Sequence, residues 1–281
     1  MANEVEAAVI SELYSDIVQA AQFTLSEGTV IRPLVRNYDN TGTPGLVAQV
    51  PIYPAIAAAA LVDGDDISTA TAFNTTEKTI TAAEVGAMVT LTDLADVSAS
   101  QDVASAIGRQ LGDAMAKKVD DDLAALFSGF SNSVGSGAAE VSVDLFFSAA
   151  ATLRNNNAPG PYYAVVHPYQ AFKLKSLLAG NGNTPMNNTD LANEALRTGY
   201  VGTVAGMQIF ESSCVTGDSA GAYVGAAFSR DALGIMWKWN AKIEQQRDAS
   251  LRATEIVGSC AYGVGEIIDG YGVGIMGDAN L

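Results

Sequence analysis

Few side chains in this sequence are suited to acid–base or metal chemistry. His167 is the single histidine of the 281 residues, and it stands between a strand-like run and Pro168. A metal site or general base at His167 would need partner ligands or an orienting group, and no such residues recur nearby at a suitable spacing. We therefore expect His167 to begin a helix and to bond to the backbone.

The glycine-rich string from Gly272 to Gly277 reads G-V-G-I-M-G and matches the dinucleotide-binding pattern G-x-G-x-x-G. That pattern binds a pyrophosphate only when a helix follows, because the helix N-terminus supplies the N–H groups and the positive dipole end. Only four residues follow Gly277 in the sequence. We expect no dinucleotide site here.

Two further clusters have both a functional and a structural interpretation. The triplet Asp120, Asp121 and Asp122 suggests a cation site, but successive helical residues point about 100° apart. We expect a solvated or intersubunit face instead. Trp237 and Trp239 alternate along a strand and could form a platform for a sugar, although packing in a core or an interface is the favoured interpretation. The sequence thus indicates no catalytic residue, no metal and no cofactor.

Charge and composition narrow the class of protein. Asp and Glu number 31 against 15 Lys and Arg, which gives a formal net charge of -16. Gripping a nucleic-acid backbone or an anionic membrane requires a basic face, which this balance does not favour. The longest apolar stretch, 46–62, is broken by two prolines and is too short to span a bilayer. An acidic N-terminus and two distant cysteines indicate synthesis in a reducing cytosol.

The N-terminal part of the chain reads as a series of extended elements. Periodicity predicts a helix over 3–26, and the proline- and glycine-containing stretch 29–45 predicts an extended arm rather than a packed layer. The alternation of Val85, Ala87, Val89 and Leu91 predicts a half-buried strand. Two strand-like runs within 46–84, joined by a polar excursion around Asp63 and Asp65, predict a long hairpin. Its tip has few large apolar residues, so it should be most stable when it lies on a neighbouring molecule.

A long helix follows, with a capping box at Ser98 and Gln101 and with Gly129 at its C-terminal end. At 1.5 Å per residue, a helix over 98–128 would measure about 46 Å. Its apolar stripe consists of Val103, Ile107, Leu111, Met115, Val119, Leu123 and Leu126. Residues 130–140 are predicted to be a loop.

The remainder alternates helix and strand and then becomes rich in strands. Helices are predicted at 142–155, 167–178 and 189–198, and strands at 162–166, 207–210, 222–228, 235–239, 243–247, 253–263 and 264–268. The fold class is therefore α+β. So many extended parts with exposed edges and apolar stripes indicate a self-assembling subunit.

The order of these elements resembles the major capsid proteins of tailed bacteriophages, the HK97-like family, over nearly the whole chain. Two segments also resemble the family in their amino-acid sequence: YAVVHP at 163–168, and LRTGYVGTVAGMQIFESS at 196–213. The resemblance implies an N-terminal arm (1–45), an E-loop hairpin (46–84), a P-domain with a spine helix (85–139), an A-domain (140–232) and P-domain strands with the C-terminus (233–281).

The resemblance also implies a function and partners. The chain would be a structural, non-enzymatic subunit whose hexamers and pentamers close an icosahedral shell around the double-stranded DNA genome, without sequence-specific contact to the DNA. It would be assembled in the host cytoplasm, reside in the virion, and meet a portal and separate scaffolding or decoration proteins; we predict no covalent crosslink through Lys78. The candidate assembly-interface residues are Asp63, Asp65, Lys78, Asp121, Asp122, Arg197, Tyr200 and Glu211.

Two alternatives remain at this point. One is the shell protein of an encapsulin-type cellular compartment, which would share the fold. The other belongs to a different class, a soluble α+β hydrolase or binding protein, which the lack of a convincing catalytic constellation disfavours.

Overall fold

The structure is a computed structural model that describes residues 29–53, 73–94, 103–180, 202–217 and 222–278, together with residues 21, 24, 25, 56, 58 and 60. Most of the predicted helix over 3–26 and all of the predicted helix over 189–198 lie outside the described residues. Ala21 and Leu25 are helical and buried, as the prediction for the first helix requires.

The described residues form three α-helices and twelve strands. The helices are α1 (Val103–Ala125), α2 (Val143–Asn155) and α3 (Pro168–Gly180). The strands are β1 (Arg36–Asp39), β2 (Val47–Ile52), β3 (Thr76–Thr81), β4 (Ala83–Thr92), β5 (Ser133–Glu140), β6 (Tyr162–Val166), β7 (Thr203–Val204), β8 (Met207–Glu211), β9 (Ala222–Ser229), β10 (Leu233–Asp248), β11 (Ala253–Glu266) and β12 (Gly272–Asp278). This mixture confirms the α+β class.

A four-stranded sheet in the order β1-β10-β11-β4 supports the long helix. β10 and β11 form a long antiparallel hairpin, and β4 pairs with the second of these strands. The predicted stripe of α1 is buried from Ile107 to Leu123 and shares its core with apolar residues of the sheet such as Ile243 and Ile256. The spine helix is therefore held by its apolar stripe, as predicted.

Residues 29–35 are packed, contrary to the expectation of an unpacked arm over 29–45, whereas residues 41–45 are exposed. Ile31, Leu34 and Val35 are buried in the same core as α1. β1 then pairs in parallel with the start of β10, with Arg36 opposite Gly234. The prolines and glycines mark the turns on either side of β1, but the apolar residues between them have a core to fill and an unpaired sheet edge to join.

The second sheet has six strands in the order β5-β12-β9-β6-β8-β7. Helices α2 and α3 pack against it through a separate core, to which Phe146, Leu153, Leu174, Met207 and Ile275 contribute. The strands predicted at 162–166, 207–210 and 222–228, and the helices predicted at 142–155 and 167–178, are all present.

Two elements of this sheet differ from the prediction. Residues 133–140 form β5 rather than a loop, and β12 joins this sheet rather than the strands of the predicted P-domain. Glycines permit this pairing: Gly135 has φ +87°, and a Cβ there would lie 2.1 Å from the carbonyl oxygen of Met276. The C-terminal range 233–281 thus contributes to both sheets.

The predicted hairpin is present as β2 and β3, which pair antiparallel with Val50 opposite Lys78. Its base packs on the four-stranded sheet through a small core that includes Val50, Ile80, Met236 and Ile267. Residues 61–72, which contain the expected tip, lie outside the described residues.

Candidate assembly surfaces

Asp120 anchors the beginning of the arm to the spine helix. Its side chain is buried, and its carboxylate accepts hydrogen bonds from the backbone N–H of Val30 (2.7 Å) and of Ile31 (3.2 Å). Burial raises the pKa of the Asp120 carboxyl, and these hydrogen bonds act in the opposite direction. The prediction of a solvated or intersubunit face is therefore wrong for Asp120, because a carboxylate turned inward satisfies backbone donors that would otherwise be unpaired.

Asp122, the third member of the triplet, is engaged within the subunit. Its carboxylate accepts a hydrogen bond from the Tyr262 hydroxyl at 2.7 Å and pairs with Lys118 at 2.6 Å. Burial raises the pKa of Tyr262, and the bond to Asp122 adds to that shift. Asp121 is half-buried beside Cys214. Burial of the Cys214 thiol raises its pKa to about 11. An intersubunit role for Asp121 and Asp122 stays a prediction.

The other predicted interface residues are spread over the molecule. Lys78 is exposed on β3. Burial raises the pKa of Glu266, and the charge of Lys78 opposes that shift. Glu211, at the end of β8, pairs with Lys175 of α3. Among the described residues, neither Lys78 nor Glu211 forms a hydrogen bond or an ion pair with the aspartate triplet. Asp63, Asp65, Arg197 and Tyr200 lie outside the described residues.

His167 occupies the position predicted for it. It precedes α3, and its Nδ1 accepts a hydrogen bond from the backbone N–H of Tyr169 at 3.2 Å. The imidazole stacks on Tyr223, with ring centroids 3.9 Å apart. Burial lowers the pKa of His167, so the neutral ring that caps the helix is favoured.

The two tryptophans do not form a flat platform. The strand register shifts between Trp237 and Trp239, and Trp237 packs in the core against Tyr262 with ring centroids 5.5 Å apart. The Arg32 guanidinium lies over the other side of Trp237, 4.4 Å from the ring centroid. Neither indole Nε1 has a hydrogen-bond partner among the described residues. The core interpretation is confirmed for Trp237.

Large apolar side chains are exposed in three areas of the described chain. The first is the hairpin, with Leu46, Val47, Tyr53, Ile56 and Phe73. The second is the pair α2 and α3, with Phe147, Tyr169 and Phe172. The third is the four-stranded sheet, with Met88 on its edge strand β4 and with Leu94 and Leu251 at its far end. The sequence predicted that the hairpin contacts a neighbour, but it did not predict these exposed apolar side chains in any of the three areas. A single exposed Phe on an amphipathic helix looks like part of its buried stripe.

Two aromatic side chains of the hairpin are exposed and yet stack on each other. Tyr53 is 64% exposed and Phe73 is 53% exposed, yet their rings stack with centroids 5.7 Å apart. The pair follows β2 and precedes β3, so it sits beyond the paired strands and away from the small core at the hairpin base. Solvent-exposed apolar clusters of this kind mark contact surfaces.

Neither a metal centre nor a membrane span is apparent in the part of the chain that the structure describes. No group of three or more His, Cys, Asp or Glu side chains there could hold a metal ion. None of the described helices combines the length and apolar character that crossing a membrane requires.

Known proteins show where this architecture occurs. The fold is similar to that of a chain from Mycobacterium phage Che8 (22% identity, 88% of this chain and 90% of that chain covered, TM-score 0.72). It is also similar to the capsid of Cyanophage P-SCSP1u (20% identity, 88% and 87% covered, TM-score 0.66) and to a chain from Microbacterium phage Oxtober96 (12% identity, 88% and 90% covered, TM-score 0.69). No curated protein sequence matches the chain.

The family match is the more specific result. The family described as phage capsid protein matches residues 75–273, which is most of the chain. That match favours a phage shell over an encapsulin-type compartment and implies a structural rather than an enzymatic role. The chain belongs to the phage capsid protein family and is a major capsid subunit of HK97-like fold that assembles with copies of itself into the shell of a virion.

Proposed function

We propose that the subunits form the hexamers and pentamers of an icosahedral shell and that the β2–β3 hairpin lies over the P-domain of a neighbouring subunit. The observation that carries this is the exposed, stacked aromatic pair beyond the paired strands of the hairpin. Val50 and Ile80 are buried on their own subunit, whereas Tyr53 and Phe73 are exposed, as are Leu46 and Val47 nearer the base. A neighbour that covers this aromatic pair would remove its apolar surface from water.

The face formed by α2 and α3 is the second contact in this proposal. Phe147 and Phe172 are exposed there, beside a surface fixed by ion pairs of Lys173 with Glu140 and of Lys175 with Glu211. We place this A-domain face toward neighbours within one hexamer or pentamer. Many such contacts, each weak by itself, become strong in a closed shell because they act together.

The interior of the shell is proposed to hold double-stranded DNA without gripping it. The net charge of -16 disfavours tight binding to phosphates, since such binding depends on the release of counterions by clustered cations. A portal and separate scaffolding or decoration proteins would be the remaining partners.

The hairpin contact can be tested with the double substitution Tyr53→Ser and Phe73→Ser. Both side chains are exposed in the subunit, so we expect its circular dichroism and its urea unfolding midpoint to be unchanged. Assembly, followed by light scattering and electron microscopy, should fall sharply. The matched control, Tyr53→Phe with Phe73→Tyr, keeps the aromatic surface and should assemble normally. Shells formed by the serine variant at the native yield would contradict the proposed hairpin contact.

A further inference from the structure

A cavity of about 590 Å³ lies where the arm crosses the start of β10. Its walls come from the arm on one side and from the beginning of the four-stranded sheet on the other. The residues that matter here are Arg32, Asn37, Arg230, Trp237 and Asn240. That volume is within the range of protein sites that hold a small ligand or several side chains of a partner.

The cavity wall contains two arginines whose charges are not neutralised by ion pairs. The Arg32 guanidinium lies over Trp237, 4.4 Å from the ring centroid, and its N–H groups can donate to a further acceptor. Arg230 uses its Nε–H to donate to the carbonyl oxygen of Val35 at 3.4 Å. Neither has a carboxylate within salt-bridge distance among the described residues, whereas Arg36 and Arg247 both do.

Acidic groups near the cavity are already engaged. Asp39 is the one carboxylate among the described residues of the lining, and hydrogen bonds from the side chain and the backbone N–H of Thr41 lower its pKa. Asp120 acts on Arg32 through its charge, but its oxygens are bound to the arm backbone. The described residues of the lining therefore carry two positive charges against one negative charge, in a chain whose overall charge is -16.

Forked guanidinium groups beside an aromatic face suit a carboxylate better than any other common protein group. The chain itself carries a segment of matching chemistry. Residues 53–75, which connect β2 to β3, contain Asp63, Asp65 and Asp66 and neither Lys nor Arg. From Ile52 to Asp63 the extended chain can reach up to roughly 36 Å, which is enough to reach an adjacent subunit.

We propose that the cavity lined by Arg32 and Arg230 binds the acidic segment 63–66 of a second copy of this chain. This deepens the proposed hairpin contact and rests on it. The carboxylates of the incoming segment donate no hydrogen bonds and accept from the two guanidinium groups and from the amide groups of Asn37 and Asn240. The contact would determine which neighbouring subunit each hairpin binds and the position at which the hairpin lies on that subunit.

Charge reversal tests the pairing from both sides. Arg230→Glu, and separately Asp63→Asn with Asp65→Asn and Asp66→Asn, should each lower the assembled fraction at limiting subunit concentration by about tenfold, with normal subunit unfolding. Arg230→Glu combined with Asp65→Lys should recover most of the loss. Arg109→Glu, an equal charge change on the exposed face of α1, is the control and should assemble like the native chain.

A disulfide shows whether the partner is another copy. With cysteines at Asp65 and Asn240, oxidation of assembled shells should give dimers and larger ladders on a non-reducing gel, and neither single variant should do so. A crosslink confined to monomers would overturn the proposal, as would binding of a fluorescent DNA oligonucleotide that Arg230→Glu abolishes. If the serine variant of Tyr53 and Phe73 blocks assembly while the Arg230 and aspartate variants do not, the cavity proposal fails and the hairpin contact stands. If the serine variant also assembles normally, the hairpin contact fails as well.

Discussion

Asp120 offers the sharpest test of how the arm is held on the subunit. Asp120→Ala removes both acceptors for the N–H groups of Val30 and Ile31 and leaves those donors in a buried position. An unpaired buried donor costs about 1–3 kcal/mol. Two lost bonds, less the relief from no longer burying a carboxylate, predict a loss of about 2–4 kcal/mol in the free energy of unfolding.

Asp120→Asn separates the loss of the hydrogen bonds from the removal of the buried charge. The amide oxygen still accepts from the arm, and the buried charge is gone, so we expect a loss well below that of the alanine variant. Because the folded state raises the pKa of Asp120, its ionised form is disfavoured by folding. The contribution of this group to stability therefore increases as the pH falls through its folded pKa toward the ordinary value of 3.8. Asn at this position does not titrate, so the stability lost through Asp120→Asn relative to the native chain should widen as the pH falls over that window.

Urea unfolding of the unassembled subunit, read by tryptophan fluorescence, measures these differences. Release of the arm would also uncover Trp237, which is 6% exposed, and would speed amide hydrogen exchange over residues 29–35. If Asp120→Ala unfolds at the same urea concentration as the native chain and exchange over 29–35 is unchanged, Asp120 does not anchor the arm.

Two other predictions concern single residues. Gly272→Ala should lower the free energy of unfolding by about 1–3 kcal/mol, because the added Cβ would lie 2.0 Å from the buried ring of Phe130. Gly274→Ala should be tolerated, because the nearest atom to its added Cβ is 3.5 Å away. Equal melting temperatures for the two variants would contradict this packing. His167 has a lowered pKa, so the unfolded chain takes up its proton first and the subunit should lose stability as the pH falls through the ordinary value of 6.5. His167→Asn keeps a capping acceptor and should flatten that part of the stability–pH curve, which thermal unfolding between pH 5 and 8 would reveal.

The elements that could be predicted are those whose own residues carry a periodic pattern. The stripe through Leu111 and Leu123 predicted the spine helix, because a helix of that length must bury one face. The alternation of Val85 and Val89 predicted β4 for the corresponding reason in a sheet. His167 was interpreted correctly since its position before Pro168 is a local feature.

The elements that were missed depend on partners distant in sequence. β5 consists of small and polar residues, and it is a strand only because β12, about 140 residues further on, pairs with it in parallel. The packed arm likewise needs β10 and the carboxylate of Asp120. The cavity lined by Arg32 and Arg230 joins residues almost 200 positions apart, and nothing in the sequence around either arginine indicates the other.

Electron microscopy of the purified full-length chain, at concentrations where light scattering reports assembly, tests the central claim most directly. The account predicts closed, hollow particles of uniform size built from this subunit. A compact monomer that stays monomeric at high concentration, with Tyr53, Phe73 and Phe172 still exposed to solvent, would contradict it.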